Sequence, residues 1–498
     1  MIEGILIGLN TALSLKNILM VVMGCFFGTI IGMLPGLGPM TAIALMIPIT
    51  YGFDPATGLI LMAGVYYGAV FGGSTSSILI NAPGIPGTVA TSFDGYPMAQ
   101  QGKAGKALAI AAYSSFAGGT IAAIFLLFAA PSLSKISLSF RSPDYFALMI
   151  LGLTAVAAFS SKGQFLKAMM MAVLGLMLAC VGQDTLSDIP RFTFNNMNLS
   201  DGISFVLVVM ATFAMSEALT IILRGTDPSS AAKAISLKEL GSIKLDKDET
   251  KKTLKTIPRS SVIGFIVGVL PGAGSTIASF LAYGMERNFV NKEEKEKFGK
   301  GSVHGLAAPE TANNAACSGS FVPLLTLGIP GSGTTAVMLG ALLGFGIQPG
   351  PRLYMTNPEI FWSVIMSMYV GMVILLILNL PLIPYIARIL AVPRTFLIPM
   401  ILFFSVTGIY LMSFNTFDIF LMIGIAVVAT GLRLYKFPMP PLILAFVLGG
   451  LMEENLRRSL LISDGSFNFL YDRPLTAIIL AFTILIFSWQ SYISLKSK

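Results

Sequence analysis

Charge is what this sequence most lacks. Lys, Arg, Asp and Glu make up 11% of its 498 residues, against roughly 25% in a soluble domain, and the shortage excludes a surface built for water. Cysteine is nearly absent. Cys25, Cys180 and Cys317 form an odd, dispersed set, each in or beside an apolar stretch, so there is neither a disulfide framework nor a metal-ligand spacing. A single histidine, His304, has no partner ligands in the pattern and excludes haem and zinc functions. No H-E-x-x-H and no G-x-S-x-G run occurs, which argues against an enzyme. No G-x-x-x-x-G-K-[ST] loop occurs either, so no phosphate loop for ATP is present. The amino terminus, Met1-Ile2-Glu3, shows no basic leader and no small-residue cleavage site, and no removable signal peptide is expected.

What is abundant is apolar surface. Hydrophobic residues reach 55% and the mean hydropathy is +0.80. Apolar stretches at 107–130, 203–223, 360–380 and 475–489 approach or exceed the roughly 20 residues a helix needs to cross a bilayer. They lack the period-two alternation of an outer-membrane barrel. The expected fold is an all-α polytopic membrane protein with about 10–12 transmembrane helices. The net charge of +8 sits in short loops between apolar spans, which points to membrane orientation and not to nucleic acid. Basic loops stay cytoplasmic. Residues 224–259, with Lys233, Lys238, Lys244, Lys247, Lys251, Lys252 and Lys255, are placed inside; residues 183–201, with Asp184, Asp188 and Asp201 against Arg191, are placed outside.

Two phrases recur in order. Gly28-x3-Gly32-x-Leu34-Pro35-Gly36-x-Gly38 returns as Gly264-x3-Gly268-x-Leu270-Pro271-Gly272-x-Gly274, and Asn81-Ala82-Pro83-Gly84-Ile85-Pro86-Gly87-Thr88 as Gly328-Ile329-Pro330-Gly331-Ser332-Gly333-Thr334-Thr335. Proline removes a backbone donor and glycine admits positive φ, so each phrase breaks a helix. Broken backbone at membrane depth is tolerated only where protein buries it or it lines a wet cavity. Paired breaks in two halves of a membrane protein point to a transporter substrate site. Packing of small residues alone would not call for the prolines. The short pieces 261–270 and 275–284, followed by Arg287, Lys292, Lys295, Lys297 and Lys300, read as a re-entrant hairpin entering from the cytoplasm. Five crossings near 56–80, 107–130, 145–160, 165–182 and 203–223 put the first hairpin on the other side, which makes the repeat inverted. The expected organisation is a first membrane repeat over 1–225, a cytoplasmic basic linker over 226–259, and a second repeat over 260–498 with an extra C-terminal helix.

The motifs Gly32-Met-Leu-Pro-Gly-Leu-Gly-Pro-Met-Thr41, Tyr66-Tyr-Gly68, Gly72-Gly-Ser-Thr-Ser-Ser77, Asn81-Ala-Pro-Gly84, Asp94-Gly-Tyr-Pro97, Gly102-Lys-Ala-Gly-Lys-Ala107, Pro309-Glu-Thr-Ala-Asn-Asn314 and Leu327-Gly-Ile-Pro-Gly-Ser-Gly333 resemble the large membrane subunit (TctA type) of tripartite tricarboxylate transporters. The resemblance is dense over about residues 20–350. Thr311, in place of a small residue, and the looser carboxyl third depart mildly. It implies a permease in the bacterial cytoplasmic (inner) membrane that works with a small four-helix membrane subunit and a periplasmic solute-binding protein. It also implies secondary import of citrate or related carboxylates by cation symport, with Na⁺ or H⁺ as coupling ion and no other cofactor.

Candidate residues follow from the chemistry. Gly36, Gly38, Gly272 and Gly274, with Thr41, Ser275 and Thr276, would offer N–H and hydroxyl groups to carboxylate oxygens. Asn81, Asn313 and Asn314 can donate to substrate or coordinate a cation. Ser332, Gly333, Thr334 and Thr335 open a half-helix after a break, where hydroxyls also serve as caps. Glu310, with Asn314 and Asn81, is a candidate for cation coupling; the bland reading is an acid favoured by a helix N-terminus. Glu217 is ionisable within a span, near enough to its cytoplasmic end to snorkel. Lys103 and Lys106 read mainly as cytoplasmic loop markers, and Tyr66 and Tyr67 as packing residues. An anion channel would require a polar or charged ring along a pore, and none is visible. A non-transporting scaffold is the remaining alternative.

Overall fold

The computed structural model describes residues 2–34, 37–137, 139–158, 164–184, 187–224, 241–272, 274–386 and 394–496. It is built of helices: α1 (Ile2–Ala12), α2 (Leu15–Met33), α3 (Gly38–Thr50), α4 (Pro55–Ile80), α5 (Val89–Met98), α6 (Ala104–Ser137), α7 (Ser142–Ala158), α8 (Phe165–Ala179), α9 (Phe205–Leu223), α10 (Lys247–Val269), α11 (Gly274–Phe289), α12 (Val303–Leu327), α13 (Gly333–Gly344), α14 (Pro358–Asn379), α15 (Arg394–Ser413), α16 (Thr416–Leu434), α17 (Pro440–Ile462) and α18 (Pro474–Lys496). A two-residue antiparallel pair, Gly182–Gln183 with Pro190–Arg191, is the β structure among the described residues. Seven of the described helices are long and apolar enough to cross a membrane, and shorter apolar helices such as α3, α7, α8 and α13 stand among them. The protein is an all-α polytopic membrane protein.

Burial is arranged inside out relative to a soluble bundle only at the rim. Ile478, Phe482, Ile484, Leu485 and Trp489 of α18, and Leu19, Met23, Phe26 and Phe27 of α2, are exposed, as lipid-facing residues must be. At the centre stand α4 and α12, which are buried along almost their whole lengths. Their polar residues, such as Ser74 and Glu310, are buried and hydrogen-bonded within the bundle.

Glycines set how closely the helices around them pack. Gly24, Gly28 and Gly32 of α2 lie against Leu61, Val65 and Ala69 of α4, while Gly68 and Gly72 of α4 lie against Cys25 and Thr29 of α2. A Cβ at Gly28 would stand 2.3 Å from the Val65 carbonyl oxygen. The same register recurs between α10 and α12: Gly264 against Ala312, Gly268 against Ala316, and Gly319 against Phe265. In both pairs the contact numbers rise together, so α2 runs parallel to α4 and α10 parallel to α12. Parallel neighbours require the intervening chain to return, and α3 and α11 make those returns.

The breaks have a local cause. Leu34 (φ −82°, ψ 113°) and Leu270 (φ −75°, ψ 123°) both precede proline and leave the helical region, as steric clash with the proline ring demands. At the other pair of breaks, Asn81 (φ 51°) and Gly328 (φ 69°) end α4 and α12 in the left-handed conformation. The following N–H groups, of Ala82 and Ile329, reach back to the Ser76 and Pro323 carbonyls, closing each helix with a Schellman-type turn. Between the two halves the direction reverses. Tyr67 meets Ser318 and Ser74 meets Glu310, so α4 and α12 are antiparallel.

Two sequence-based expectations change. The pieces expected at 261–270 and 275–284 are parts of longer helices, α10 and α11. The linker expected over 226–259 is helical from Lys247, so Lys247, Lys251, Lys252 and Lys255 stand on α10; residues 225–240 lie outside the described set. The helix starts there because Asp246 and Glu249 form a reciprocal capping box, with N–H···O distances of 2.8 and 2.9 Å.

The glycine register makes a testable contrast. Gly28→Ala is expected to destabilise the protein by about 1–3 kcal/mol through overpacking. Gly284→Ala, at an exposed helical site with nothing within 4 Å of the new Cβ, is expected to be neutral or stabilising by about 0.5–1 kcal/mol. Thermal unfolding in detergent reads both; equal effects would refute the packing argument.

Candidate functional site

The four breaks meet at the centre of the molecule. Each first break touches its own half's second break: Gly84 packs on the Gly32 carbonyl, Gly331 on the Gly268 carbonyl, and the Gly272 N–H donates to the Gly331 carbonyl at 3.0 Å. The breaks also touch across the halves. A Cβ on Gly87 would lie 2.9 Å from Ser275 Oγ, and the Ser279 hydroxyl donates to the Gly87 carbonyl at 2.6 Å. A Cβ on Gly333 would lie 2.9 Å from the Met40 sulfur; within the second half, one on Gly274 would lie 3.8 Å from Ser332 Cβ.

From this point the helices fan out. α3 and α13 run side by side to one end, with Met40 against Gly333 and Tyr51 against Gly344. α5 and α11 run to the other end, with Gly87 against Ser275 and Tyr283 donating to Asp94 at 3.0 Å. The starts of all four helices therefore gather around one locus. A helix start carries free N–H groups and about half a positive charge, and suits an anion.

The structure brings together Gly272, Gly274, Ser275, Ser332 and Gly333. Thr276 follows Ser275 and is half-buried; Gly38 starts α3, and Thr41 is buried. Gly36 lies outside the described residues. Ser332 and Thr335 cap α13 reciprocally, at 3.2 and 2.9 Å, and Thr334 is buried beside them. The Ser332 hydroxyl also lies 3.4 Å from Tyr66. Asn81 is exposed at the end of α4, and its left-handed backbone closes that helix.

A second locus surrounds Glu310, which is fully buried. Its carboxylate accepts hydroxyl hydrogen bonds from Ser74 (2.7 Å) on α4, Ser115 (2.9 Å) on α6, and Thr91 on α5. Asn314 donates from Nδ2 to Asn313 Oδ1 at 2.6 Å and to the Glu310 carbonyl at 3.2 Å. Asn314 Oδ1 is buried without a hydrogen-bond partner. The carboxylate's partners come from helices remote in sequence, so the motif around Glu310 gave no sign of them.

The other charges are held in place. Glu217 pairs with Arg433, which also donates to the Thr212 carbonyl at 2.9 Å inside a π turn over Met210–Met215. Lys106 pairs with Glu249 (2.9 Å) and Asp246 (3.3 Å), joining the starts of α6 and α10. His304 Nδ1 lies 2.7 Å from Thr256 Oγ1 and 3.2 Å from Glu286, which Arg259 also holds at 2.6 Å. Tyr67 donates to or accepts from Ser318 at 2.9 Å and stacks on Phe321.

Asp94 was passed over as a site residue, and it has the most anchored side chain of the motif that contains it. One of its oxygens accepts the N–H groups of Gly299, Gly301 and Ser302 at 2.7–2.9 Å, and so fixes the loop that leads into α12. Gly299 and Gly301, with φ of 81° and 103°, were the available signal, because successive N–H groups in such a turn form a nest that suits an anion.

Paired broken helices converging inside a polytopic helical bundle define a membrane transport protein. Residues 18–444 match the tripartite tricarboxylate transporter TctA family. An uncharacterized 52.8 kDa protein in the TAR-I ttuC' 3'region of Agrobacterium vitis is 42% identical over 481 residues, covering 97% of this chain and 94% of that protein. An uncharacterized protein in the TAR-II ttuC' 3'region of the same organism is 40% identical over 235 residues, 47% of this chain and 96% of that protein. The chain belongs to the tripartite tricarboxylate transporter TctA family, a family of transporter subunits and not an enzyme class.

The meeting of the first half's second break with the second half's first break can be trapped chemically. Gly87→Cys with Ser275→Cys, in a background lacking the native cysteines, would place the two Cβ atoms about 3.4 Å apart, close to the roughly 3.5–4.5 Å of a disulfide. Mild oxidation is expected to protect both thiols from a maleimide mass tag. Two thiols that stay reactive after oxidation would place the breaks apart.

Proposed function

We propose that the chain is the permease subunit of a binding-protein-dependent secondary transporter, and that it imports tricarboxylates or related small carboxylates together with a cation. The observation that carries this reading is the convergence of four helix starts, α3, α5, α11 and α13, on one locus rich in backbone N–H and hydroxyl groups. Ser275, Thr276, Ser332 and Gly333, with Gly38, Thr41, Gly272 and Gly274, would receive the carboxylate oxygens. Thr334 and Thr335 would hold the helix that presents Ser332. Glu310 with Asn313 and Asn314 would serve the cation, Na⁺ or H⁺. Asn81 would shape the tip that carries Gly87 without reaching the ion.

The directions of the helices support an inverted repeat. α2, α3 and α4 form an up–down–up unit, α10, α11 and α12 form another, and the antiparallel contact of α4 with α12 relates them. α2–α3 and α10–α11 then act as re-entrant hairpins entering from opposite sides. The pairing of Lys106 with Glu249 puts the loops before α6 and α10 at one end, the basic and hence cytoplasmic one.

Energetics require the cation. Importing one negative charge against an inside-negative potential of 100 mV costs about 2.3 kcal/mol, and a trianion about 7 kcal/mol on the same basis. The partners implied are a small four-helix membrane subunit and a periplasmic solute-binding protein, with the permease in the bacterial inner membrane.

The test is uptake of labelled citrate and a panel of dicarboxylates by cells expressing the chain with both partners, in Na⁺ and in choline. Cation-dependent uptake that falls at least about tenfold in Ser275→Ala/Ser332→Ala, as loss of two substrate hydrogen bonds predicts, would support the reading. No uptake of any carboxylate from the assembled complex would remove the substrate class and favour a scaffold. Cysteine labelling of residues 287–300 checks orientation: these positions are expected to react only from the cytoplasm, and reaction only from outside would overturn the inverted topology.

A further inference from the structure

We propose that Glu310, Ser74, Ser115 and Asn379 form a binding site for one dehydrated Na⁺ ion at the seam between the two halves. The inference deepens the reading of the chain as a cation-coupled permease and rests on it.

The first observation is a buried charge without a counter-charge. Glu310 has no exposed surface, and among the described residues no Lys, Arg or His pairs with it; its partners are the hydroxyls of Ser74, Thr91 and Ser115. A carboxylate held this way in a low-dielectric interior is costly unless a positive charge joins it.

The second observation is independent. Beside the carboxylate is a gap with room for about one water-sized particle, lined by Ser74, Thr75, Ser115, Glu310 and Asn379 together with apolar side chains. Asn379 is the last residue of α14 and is buried. Its Nδ2 donates to the Leu375 carbonyl at 3.0 Å, while its Oδ1 has no hydrogen-bond partner. A bare buried acceptor costs about 1–3 kcal/mol, and this one lines the same gap as the carboxylate.

A proton on Glu310 would neutralise the charge but would not reach Asn379 Oδ1. An ion that takes oxygen ligands in the gap answers the carboxylate and Asn379 Oδ1 together. Ser74 and Ser115 can serve as ligands because each hydroxyl has a second acceptor within reach, the Val70 carbonyl at 3.3 Å and the Glu310 carbonyl at 3.5 Å. Turning their hydrogens to those carbonyls frees oxygen lone pairs for the ion. Of the two coupling cations, Na⁺ and H⁺, Na⁺ is the one that takes several oxygen ligands at once.

The site also touches the solute locus through one element. Thr91 ties Glu310 to α5, and α5 follows the tip whose Gly87 carbonyl receives the Ser279 hydroxyl of α11. An ion that draws the Glu310 carboxylate away from Thr91 therefore acts on the same short helix that positions the tip at Ser275.

The experiment is a thermal-melt titration of the purified full-length chain in detergent, without solute, using NaCl, KCl or choline chloride at constant ionic strength. A saturable, Na⁺-specific rise in melting temperature is expected, because a ligand that binds only the folded state stabilises it by mass action. Glu310→Gln should abolish the rise. Ser115→Ala and Asn379→Ala should shift its midpoint to about 10- to 100-fold higher Na⁺, the usual effect of losing a coordinating or supporting group. Should Glu310→Gln fail to fold, the two alanine variants, which keep the carboxylate, decide the matter by their midpoints. The proposal is overturned if Na⁺ gives no specific rise, if the rise survives in Glu310→Gln or is unmoved in both alanine variants, or if stabilisation follows pH and not Na⁺. Because no solute is present, a negative result removes the ion site alone, whereas failed carboxylate uptake removes the transport reading.

Discussion

Contact of backbone on backbone, made possible by glycine, is the constraint from which the architecture follows. In lipid the helices gain nothing from burying apolar surface against one another, so association depends on close van der Waals fit. Gly24, Gly28 and Gly32 on α2, with Gly68 and Gly72 on α4, let two parallel helices approach until the backbone of one lies on the carbonyls of the other. Gly264 and Gly268 repeat the arrangement on α10. Two parallel helices need a return between them, and the return must start from a break. The positions of the Pro-Gly sequences follow from where the glycine ridges end.

The breaks were legible because their cause is local. A proline restricts the residue before it whatever surrounds the chain, so Leu34-Pro35 and Leu270-Pro271 declared themselves. The recurrence of two phrases in order was equally plain. Helix lengths were less so: the lysines of α10 resemble a loop until the Asp246–Glu249 capping box is noticed. What stayed hidden was everything that depends on distant partners. Ser74, Thr91 and Ser115 converge on Glu310 from three helices, and Asn379 from a fourth. Ser74 stands in the Gly72–Ser77 motif and the others in none, and even there nothing marked it, since a serine in an apolar helix looks the same whether it bonds its own backbone or a carboxylate across the bundle. Asp94 was hidden for the same reason, although the glycines it binds were in view.

The two halves share a framework and differ in what it holds. Aligned on Asn81 and Gly328, the pair Tyr66-Tyr67 stands where Asn313-Asn314 stand, and Ser74 where Phe321 stands. One side of the α4–α12 seam is therefore aromatic, with Tyr67 stacked on Phe321 and Tyr66 tilted beside it, and the other is polar. The aromatic side packs by area and the polar side by directed hydrogen bonds. Such a division gives the centre a dry face and a face where a small polar guest can be received.

The same alignment sets Ala63 opposite Glu310. The second set of breaks thus comes with an acid that the first set lacks, which bears on stoichiometry in the proposed cation-coupled cycle. A single cation accompanying a solute with two negative charges would leave one of them uncompensated. Each turnover would then move net charge inward, and the membrane potential would act as a brake on the cycle unless a second positive charge, on the solute or beside it, travelled too.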